Sequence, residues 1–467
     1  MKKLLFASSE IFPYAKSGGL ADVADALPNA LKTFVAITRV MPLYGFLDRS
    51  TVELFRSFEI ELAGINYKIE IYSNVVNNIT NYFVKAPLLS DTQYMYGDEE
   101  GDFSNNDIRF GIFCMAIVEL AQQLHVDILH LNDWHTALAA LFIKMKKLDI
   151  KTVFTIHNLA YQGVFEKESL YKLGIDESYF TLDGLEFYSK VNFLKAGVQY
   201  SDKVTTVSPS YAKEILTPEY GCGLDGFLAY NKEKISGILN GINYEIFNPK
   251  TDKNILYAFD ENSLVNKAKN RSAFLKKIAL KGNKKPLVIM VTRLVEQKGV
   301  DLLIESLDSL LIENFNLVIM GDGGGEFVKE LDQYTKEYKN FCFINGYNHL
   351  LSHEAYAAAD FLLMPSRFEP CGLNQMIAMH YGTVPIVHSV GGLKDSVKES
   401  KTKFPCGSGV VFKKFTKKAL VKAVKRALLL KEEQQKFKKM IDTNMRCDFS
   451  FVSSAKKYFK LYKQILS

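Results

Sequence analysis

The sequence predicts an α/β protein made of two doubly wound domains with parallel sheets. Short, nearly continuous apolar runs alternate along the chain with longer segments that have the period of amphipathic helices. Strands that are buried on both faces have such continuous apolar runs, and their alternation with helices is typical of parallel sheets. Eight or more candidate strands in 467 residues favour two such domains over one large sheet.

The elements follow in a regular order. The predicted strands are residues 3–7, 127–131, 152–156, 203–207, 287–291, 317–320, 361–364 and 384–387. Helices are predicted between most of them, for example at 109–124, 134–147 and 300–310. A turn at Asn240-Gly241 is followed by a polar segment without clear periodicity, which indicates a connection between the two domains.

Composition narrows the class of protein. Apolar residues make up 48% of the chain and charged residues 24%, as in soluble enzymes. No apolar run approaches the ~20 residues that span a bilayer, and the first run breaks at Ser8-Ser9-Glu10, which is unlike a signal peptide. The cysteines form no C-x-x-C pair, so neither a disulfide framework nor a zinc ribbon is indicated. We expect a cytoplasmic protein.

Positive charge is concentrated at the C-terminus. Residues 401–467 contain 18 Lys and Arg but four Asp and Glu. A basic tail can bind nucleic acid or an acidic membrane. These lysines alternate with apolar residues at helical spacing, however, and we interpret them as the solvated faces of two C-terminal helices. We therefore expect neither nucleic acid nor membrane as a partner.

Two glycine pairs occur in similar surroundings. KSGGLADV (16–23) and SVGGLKDSV (389–397) share the pattern G-G-L-x-D, and each follows a predicted strand and opens a helix. A Gly-Gly at such a junction lets the backbone approach a ligand, and the helix N-terminus offers N–H groups to an anion. Lys16 adds a cation. The alternative is that Gly18 and Gly19 form a tight turn.

Charged residues follow two strands of the second half. Arg293 and Lys298 lie in one loop, and two cations there suit a diphosphate leaving group, although a solvated pair is an alternative. Glu369, in a polar loop before a helix that begins near Leu373, can accept hydrogen bonds from sugar hydroxyls. A simple helix-start role is its alternative.

Polar residues also end two strands of the first half. Asn132-Asp133 and His157-Asn158 come directly after predicted strands, so we expect them at one edge of the sheet. The alternatives are a hydrogen-bonded structural histidine and an aspartate that caps a helix. His130 and His135 show no metal-ligand spacing with a third residue, and we interpret them as structural.

Two sequence motifs that would indicate a metal site or a phosphate-binding loop are absent. No aspartates lie two positions apart, so the D-x-D metal clamp of many nucleotide-sugar enzymes is missing, and the chain has no G-x-x-x-x-G-K-[ST] phosphate loop. GDGGGEF (321–327) has the wrong register for a dinucleotide fingerprint, and we interpret it as a turn between strand and helix. We expect no metal and no cofactor.

Seven ordered motifs resemble one family, the bacterial glycogen synthases and plant starch synthases. They are KSGGLADV, LNDWHTAL, TIHNLAYQGVF, LNGIN, VTRLVEQKG, MPSRFEPCGLNQ and VGGLKDSV. The resemblance implies the GT-B architecture, with two Rossmann-like domains facing a central cleft. It assigns residues 1–240 to the glucan acceptor side and 241–448 to the nucleotide-sugar donor side, and it implies that 449–467 form a helix that crosses back onto the first domain.

The resemblance further implies an activity and a set of site residues. A retaining glucosyltransferase would transfer glucose from ADP-glucose to the non-reducing end of an α-1,4-glucan such as glycogen. The implied catalytic residues are His157, Asp133, Arg293, Lys298 and Glu369. The implied donor-binding residues are Lys16, Gly18, Gly19, Asn240, Tyr347, Cys371, Gly372, Leu373, Gly391 and Gly392. Asn374 and Val390 stand where bacterial relatives often have threonine, and we expect donor binding to survive both changes.

Alternative functions keep the same fold. One is a UDP-glucose-dependent transferase with a small acceptor, and another is a catalytically silent glucan-binding protein. The silent protein would have lost some of the implied catalytic residues, which are all present here. A glycogen phosphorylase would need a pyridoxal phosphate lysine, and nothing in the sequence resembles that cofactor region.

Overall fold

A computed structural model describes residues 1–346, 348–399 and 404–467. Contacts divide the chain into two compact units. The N-terminal unit comprises Met1–Val207, Ala212–Ile238 and Phe451–Ser467, and the C-terminal unit comprises Ser208–Tyr211 and Leu239–Ser450. Each unit is an α/β layer structure around a largely parallel sheet.

The N-terminal unit contains most of the strands. They are β1 (Lys3–Ala7), β2 (Ala36–Pro42), β3 (Glu53–Leu62), β4 (Ile65–Val76), β5 (Ile79–Lys85), β6 (Gly97–Asp98), β7 (Gly101–Asp102), β8 (Ile128–Asn132), β9 (Lys151–Ile156), β10 (Val164–Phe165), β11 (Glu186–Phe187), β12 (Lys190–Asn192), β13 (Lys203–Thr206) and β14 (Ile235–Gly237). The helices of the same stretch are α1 (Gly19–Leu31), α2 (Asn106–Gln123), α3 (Trp134–Met145), α4 (Ser169–Lys172), α5 (Phe193–Tyr200), α6 (Pro209–Glu214), whose first residues belong to the other unit, and α7 (Asp225–Tyr230).

The main sheet of this unit has the order β14-β13-β9-β8-β1-β2-β5-β4-β3. Pairing is parallel from β14 to β5 and antiparallel between β5, β4 and β3. β8, β1 and β9 are neighbours in the middle and almost completely buried. Ala7 pairs with Leu131 and Asn132 pairs with Thr155, so the carboxyl ends of these three parallel strands lie at the same edge of the sheet.

The C-terminal unit has a parallel sheet of order β17-β16-β15-β18-β19-β20. Its strands are β15 (Leu287–Val291), β16 (Asn316–Gly321), β17 (Phe341–Asn345), β18 (Phe361–Met364), β19 (Val384–His388) and β20 (Val410–Phe412). Its helices are α8 (Leu264–Lys277), α9 (Val300–Leu311), α10 (Glu326–Glu337), α11 (His349–Ala358), α12 (Asn374–His380), α13 (Gly391–Ser396), α14 (Lys417–Glu432) and α15 (Gln434–Met445). A last helix, α16 (Phe451–Leu466), belongs to the N-terminal unit.

The eight predicted strands are all present, each within one residue of its predicted ends. The prediction of two C-terminal helices was wrong, because the chain leaves the helical conformation at Glu433 (ψ 68°) and so divides the first of them into α14 and α15. In the described ranges, no helix combines the length and the apolar character needed to cross a bilayer.

The helix α16 packs into the core of the N-terminal unit. Phe451, Tyr458 and Tyr462 are buried in the cluster that also contains residues of β1 and α1. The Tyr462 hydroxyl lies 2.7 Å from Nδ1 of His130, whose Nε2 lies 2.7 Å from Oγ1 of Thr155. His130 is thus hydrogen-bonded through both ring nitrogens inside the core.

One disulfide, between Cys406 and Cys447, was not indicated by the sequence. The two residues are 41 positions apart, and their Cα atoms are 5.6 Å apart. It joins the segment before β20 to the residues that follow α15. The spacing of cysteines along the chain could not show this approach, which results from the packing of the C-terminal unit.

Candidate functional site

The carboxylate of Glu10 organises the segment between β1 and α1. Its Oε2 accepts hydrogen bonds from the amides of Ser17 (2.6 Å) and Gly18 (3.4 Å), and its Oε1 accepts from the hydroxyls of Ser17 and Tyr96. Glu10 is 3% exposed, so the desolvated carboxylate requires these donors. We did not predict Glu10 as a site residue, although an acidic residue three positions after a buried strand was visible in the sequence.

Gly18 and Gly19 do not form a turn that requires glycine. Gly18 has an extended backbone (φ −159°), and neither residue is among the described positions of positive φ. A Cβ atom built on either glycine would meet no atom of the protein within 4 Å. The tight-turn alternative was therefore wrong, and the space beside both glycines is open.

Lys16 is exposed and paired with an acid of the following helix, α1. Its Nζ lies 2.7 and 2.8 Å from the two carboxylate oxygens of Asp22, and 5.6 Å from the ring centre of Phe12. Burial raises the pKa of Asp22, and the ammonium of Lys16 acts in the opposite direction. An anion that binds Lys16 must compete with this carboxylate.

Asp133 has a strained backbone conformation immediately after β8 (φ 55°, ψ 177°). Such a conformation costs about 1–3 kcal/mol outside glycine and persists where neighbouring contacts enforce it. Here the Asp133 amide donates to the carbonyl of Thr155 (3.0 Å), and its Oδ1 accepts from the amide of His157 (2.7 Å). The side chain makes no capping bond to α3, so the helix-cap alternative for Asp133 was wrong.

Burial shifts both titratable groups at this edge. It raises the pKa of Asp133 to about 7, against the effect of the amides of His157 and Asn158, and the nearby Glu10 carboxylate adds to the increase. It lowers the pKa of His157 to about 3, so the imidazole is neutral at physiological pH. The pair therefore combines a neutral histidine with a carboxyl group that titrates near neutrality.

The candidate residues of the C-terminal unit lie on two adjoining loops. The Lys298 ammonium is 2.7 Å from Oε2 of Glu369, which also accepts a hydrogen bond from Oγ of Ser366 (3.1 Å). Glu369 is 5% exposed, and its backbone carbonyl accepts from the amide of Gly392 (3.0 Å). The helix-start alternative for Glu369 was wrong, since α12 begins at Asn374.

The second glycine pair packs tightly against the same loop. A Cβ on Gly392 would lie 2.1 Å from the Cys371 carbonyl oxygen, and Gly391 has φ +41°. Gly372 also has positive φ (67°), and Leu373 precedes the first residue of α12. Burial raises the pKa of the Cys371 thiol to about 12, which excludes it as a thiolate nucleophile at neutral pH.

The other predicted residues are placed as follows. Arg293 is exposed in the loop after β15. Asn240 is 5% exposed, and its Oδ1 has no hydrogen-bond partner within the described part of the chain. The side chain of Asn374 donates to the carbonyl of Val291 (2.8 Å) and so ties α12 to the end of β15. Tyr347 lies outside the described residues.

The structure thus brings the predicted residues together in two sets, one in each unit. The N-terminal set comprises Lys16, Gly18, Gly19, Asp133 and His157, and the C-terminal set comprises Asn240, Lys298, Glu369, Cys371, Gly372, Leu373, Gly391 and Gly392, with Arg293 in an adjoining loop. Among the described residues, no group of three or more His, Cys, Asp or Glu is arranged to hold a metal ion.

The raised pKa of Asp133 predicts a pH-dependent stability difference between the wild type and Asp133→Asn. The folded state keeps the proton up to about pH 7, whereas the unfolded chain releases it near 3.8, so the wild type loses stability as pH rises between these values. Asp133→Asn has no carboxyl proton to release, so its free energy of unfolding does not fall in this way. We expect its free energy of unfolding, relative to wild type, to increase by about 1–4 kcal/mol between about pH 4 and 8.

Denaturant unfolding at several pH values measures this difference. Asp149→Asn serves as the control, because the Asp149 side chain is 97% exposed, and we expect no change of its relative stability with pH. A difference between wild type and Asp133→Asn that stays constant over the whole range would contradict the prediction.

Comparison with known proteins identifies the family. Residues 3–230 match the family model "Starch synthase catalytic domain", and residues 272–442 match "Glycosyl transferases group 1". A glycogen synthase of Aquifex aeolicus is 41% identical over 470 residues, covering 100% of this chain and 99% of the relative. A glycogen synthase of Geotalea daltonii is 39% identical over 479 residues, with coverage of 100% and 99%.

Solved structures agree with this result. The catalytic domain of starch synthase IV from Arabidopsis thaliana, bound to ADP and acarbose, has a TM-score of 0.90 at 32% identity, and the match covers 100% of this chain and 99% of that one. Sucrose-phosphate synthase from Thermosynechococcus elongatus shares the fold at a TM-score of 0.65 and 17% identity. The α/β architecture is that of the GT-B glycosyltransferases, as predicted. The chain is therefore a retaining glycosyltransferase that belongs to the family of glycogen synthases and starch synthases.

Proposed function

We propose that this enzyme transfers glucose from ADP-glucose to the non-reducing end of an α-1,4-glucan, with retention of the anomeric configuration. The observation that carries the proposal is the pairing of Lys298 with the buried carboxylate of Glu369, in the loops that follow the neighbouring strands β15 and β18. A cation beside a desolvated carboxylate offers one group for phosphate and one for sugar hydroxyls. The glycogen synthase relatives match over the whole length of the chain.

The C-terminal set would bind the donor. Arg293 and Lys298 would neutralise the diphosphate, and Glu369 would accept hydrogen bonds from the glucose hydroxyls. The unpartnered Oδ1 of Asn240 and the backbone of Gly391 and Gly392 at the start of α13 would supply further polar contacts. Tyr347, Cys371, Gly372 and Leu373 complete the donor-binding set that the family resemblance implies. The solved starch synthase IV domain was crystallised with ADP and acarbose.

The N-terminal set would act on the transferred sugar and the acceptor. Lys16 would exchange its contact with Asp22 for a donor phosphate, and the open space beside Gly18 and Gly19 would let the ligand approach the backbone. His157 would lie against the sugar near its anomeric carbon, with Asp133 holding the backbone of His157 in place.

We infer front-face departure and attack rather than two successive inversions. A double inversion needs a carboxylate nucleophile. Glu369 is committed to Lys298 and Ser366, and Asp133 is held by the amide of His157 and has its pKa raised by burial. The leaving phosphate would instead help to deprotonate the acceptor hydroxyl, and Arg293 and Lys298 would stabilise its charge. A covalent glucosyl adduct trapped on either carboxylate would overturn this mechanism.

The proposal also covers the cellular location of the enzyme and its partners. We propose a cytoplasmic enzyme whose partners are ADP-glucose and glycogen, without nucleic acid, membrane, metal or cofactor. A neutral glucan gives the basic C-terminal helices no electrostatic reason to bind polymer.

The donor distinguishes the proposal from its main alternative. Purified enzyme is incubated with glycogen and radiolabelled ADP-glucose or UDP-glucose, without added metal, and label in the polymer is counted. We expect incorporation from ADP-glucose. Incorporation from UDP-glucose alone would overturn the donor assignment, and no incorporation from either donor into glycogen would favour a small acceptor or a binding role.

Loss of the Lys298 cation should slow the reaction itself. For Lys298→Ala we expect kcat for ADP-glucose to fall by about 10²–10³-fold, because an oriented charge at a leaving group stabilises the transition state. Lys277→Ala is the matched control, since Lys277 forms an ion pair with Glu354 in the same unit but is 55% exposed. A loss of less than about tenfold, or equal losses in both variants, would count against the role of Lys298.

The two glycine pairs should respond differently to alanine. In Gly392→Ala the new Cβ collides with the backbone of Cys371, and we expect about 2 kcal/mol or more of destabilisation. In Gly19→Ala we expect stability within about 0.5 kcal/mol of wild type but a KM for ADP-glucose raised about tenfold, because the added methyl group occupies the space of the ligand.

Thermal denaturation and steady-state kinetics separate these effects. Gly324→Ala is the control, because a Cβ at Gly324 also meets no atom within 4 Å and this glycine lies in a loop without a proposed role. We expect neither its stability nor its KM to change. An unchanged KM in Gly19→Ala would remove the N-terminal glycine pair from the proposed site.

A further inference from the structure

The side chain of Asn132, at the end of β8, connects this strand to the ends of its two neighbours, β1 and β9, and its backbone N–H contacts α3. Its Nδ2 donates to the carbonyl of Ala7 at the end of β1 (2.9 Å), and its Oδ1 lies 2.9 Å from Nε2 of His157, which follows β9. The Asn132 amide N–H donates to Oγ1 of Thr136 (2.7 Å). Asn132 is completely buried, so each of these bonds replaces one that water would make.

The partners of the carboxamide determine its orientation. The carbonyl of Ala7 can only accept, so the NH₂ group of Asn132 must face it. The carboxamide oxygen then faces His157, and it also can only accept. A rotated carboxamide would place two oxygens against each other at Ala7 and leave the Ala7 carbonyl without this donor.

The hydrogen atom between Asn132 and His157 must therefore reside on Nε2 of the imidazole. The ring is neutral, because burial lowers the pKa of His157 to about 3, and a neutral imidazole carries one N–H. Nδ1 is thus the unprotonated nitrogen, an acceptor and not a donor. Which ring nitrogen is protonated is generally set by the bond that the other one makes.

We propose that Asn132 is a positioning residue that holds His157 as the neutral Nε2–H tautomer, so that its Nδ1 can only accept a hydrogen bond from the substrate. The inference deepens the proposed function and rests on the role of His157 in it. Asn132 itself touches no reacting atom. In the other tautomer the imidazole would present an N–H at this position, and a substrate hydroxyl there would have to accept the hydrogen bond instead of donating it.

The tautomer can be observed directly in the wild-type chain. The full-length enzyme is labelled with ¹⁵N-histidine, and two-bond ¹H–¹⁵N spectra report which ring nitrogen is protonated. The His157 signals are assigned by their loss in His157→Gln. We expect a single Nε2–H tautomer over about pH 6–9. An Nδ1–H tautomer, a mixture of both or an imidazolium would overturn the proposal.

Two substitutions separate positioning from packing. Asn132→Leu has a similar shape and removes the acceptor for Nε2–H, so we expect mixed tautomers and a kcat lowered about 10–100-fold, with KM for ADP-glucose changed less than about threefold. Asn132→Asp keeps an oxygen opposite Nε2, and its second oxygen, protonated in this buried position, can donate to the Ala7 carbonyl. We therefore expect the Nε2–H tautomer to persist and kcat to exceed that of Asn132→Leu by about fivefold or more. Equal kcat values in the two variants would overturn the proposal.

Thr155→Val provides the control. It removes the hydroxyl that bonds the neighbouring buried His130 and leaves Asn132 and His157 untouched. We expect the His157 tautomer to be unchanged and kcat to stay within about twofold of wild type.

The spectra also distinguish failure of this inference from failure of the proposed function. If His157→Gln is inactive and the wild-type spectra show the Nδ1–H tautomer, only the role of Asn132 is overturned. If His157→Gln is active, the role of His157 is overturned.

Discussion

The carboxamide of Asn132 hydrogen-bonds the ends of two neighbouring strands at once, and the candidate residues of the N-terminal unit depend on that arrangement. Ala7 leads into the Glu10 segment, and His157 follows β9. Because β1, β8 and β9 are adjacent and parallel, their loops leave the sheet at the same edge. A shift of one strand would therefore displace the Lys16 segment, Asp133 and His157 together.

The two units hold their buried carboxylates by different means. Glu369 is paired with a cation, so its charge is compensated. Asp133 is held chiefly by backbone amides, and burial raises its pKa to about 7. A buried carboxyl group held by neutral dipoles shares the neutral pH range with its protonated form. The ion-paired carboxylate of Glu369 suits a contact to hydroxyl groups, whereas Asp133 couples the local structure to pH.

The sequence predicted eight of the parallel strands, because each is a short apolar run between turn residues, but the parallel strands β2, β5, β14, β17 and β20 were missed. The antiparallel strands β3 and β4 were missed, since many of their side chains are exposed and form no apolar run. Glu10 was missed for a related reason. Its role depends on the amides of Ser17 and Gly18 and on Tyr96, and the sequence separation of 86 residues from Tyr96 hides that contact. The strained backbone of Asp133 could not be predicted either, because Asp133 and the residues after it also matched an ordinary helix start.

The glycine pairs show how one motif can have two physical causes. Gly391 and Gly392 are required by the chain itself, since one has positive φ and the other lies against the backbone of Cys371. Gly18 and Gly19 have neither constraint, and the helix that they begin would form at least as readily with alanine. A residue that costs helix stability and relieves no strain in its own chain needs another reason for its presence. The open space beside Gly18 and Gly19 supplies one, because a bound ligand can lie where a side chain would otherwise project.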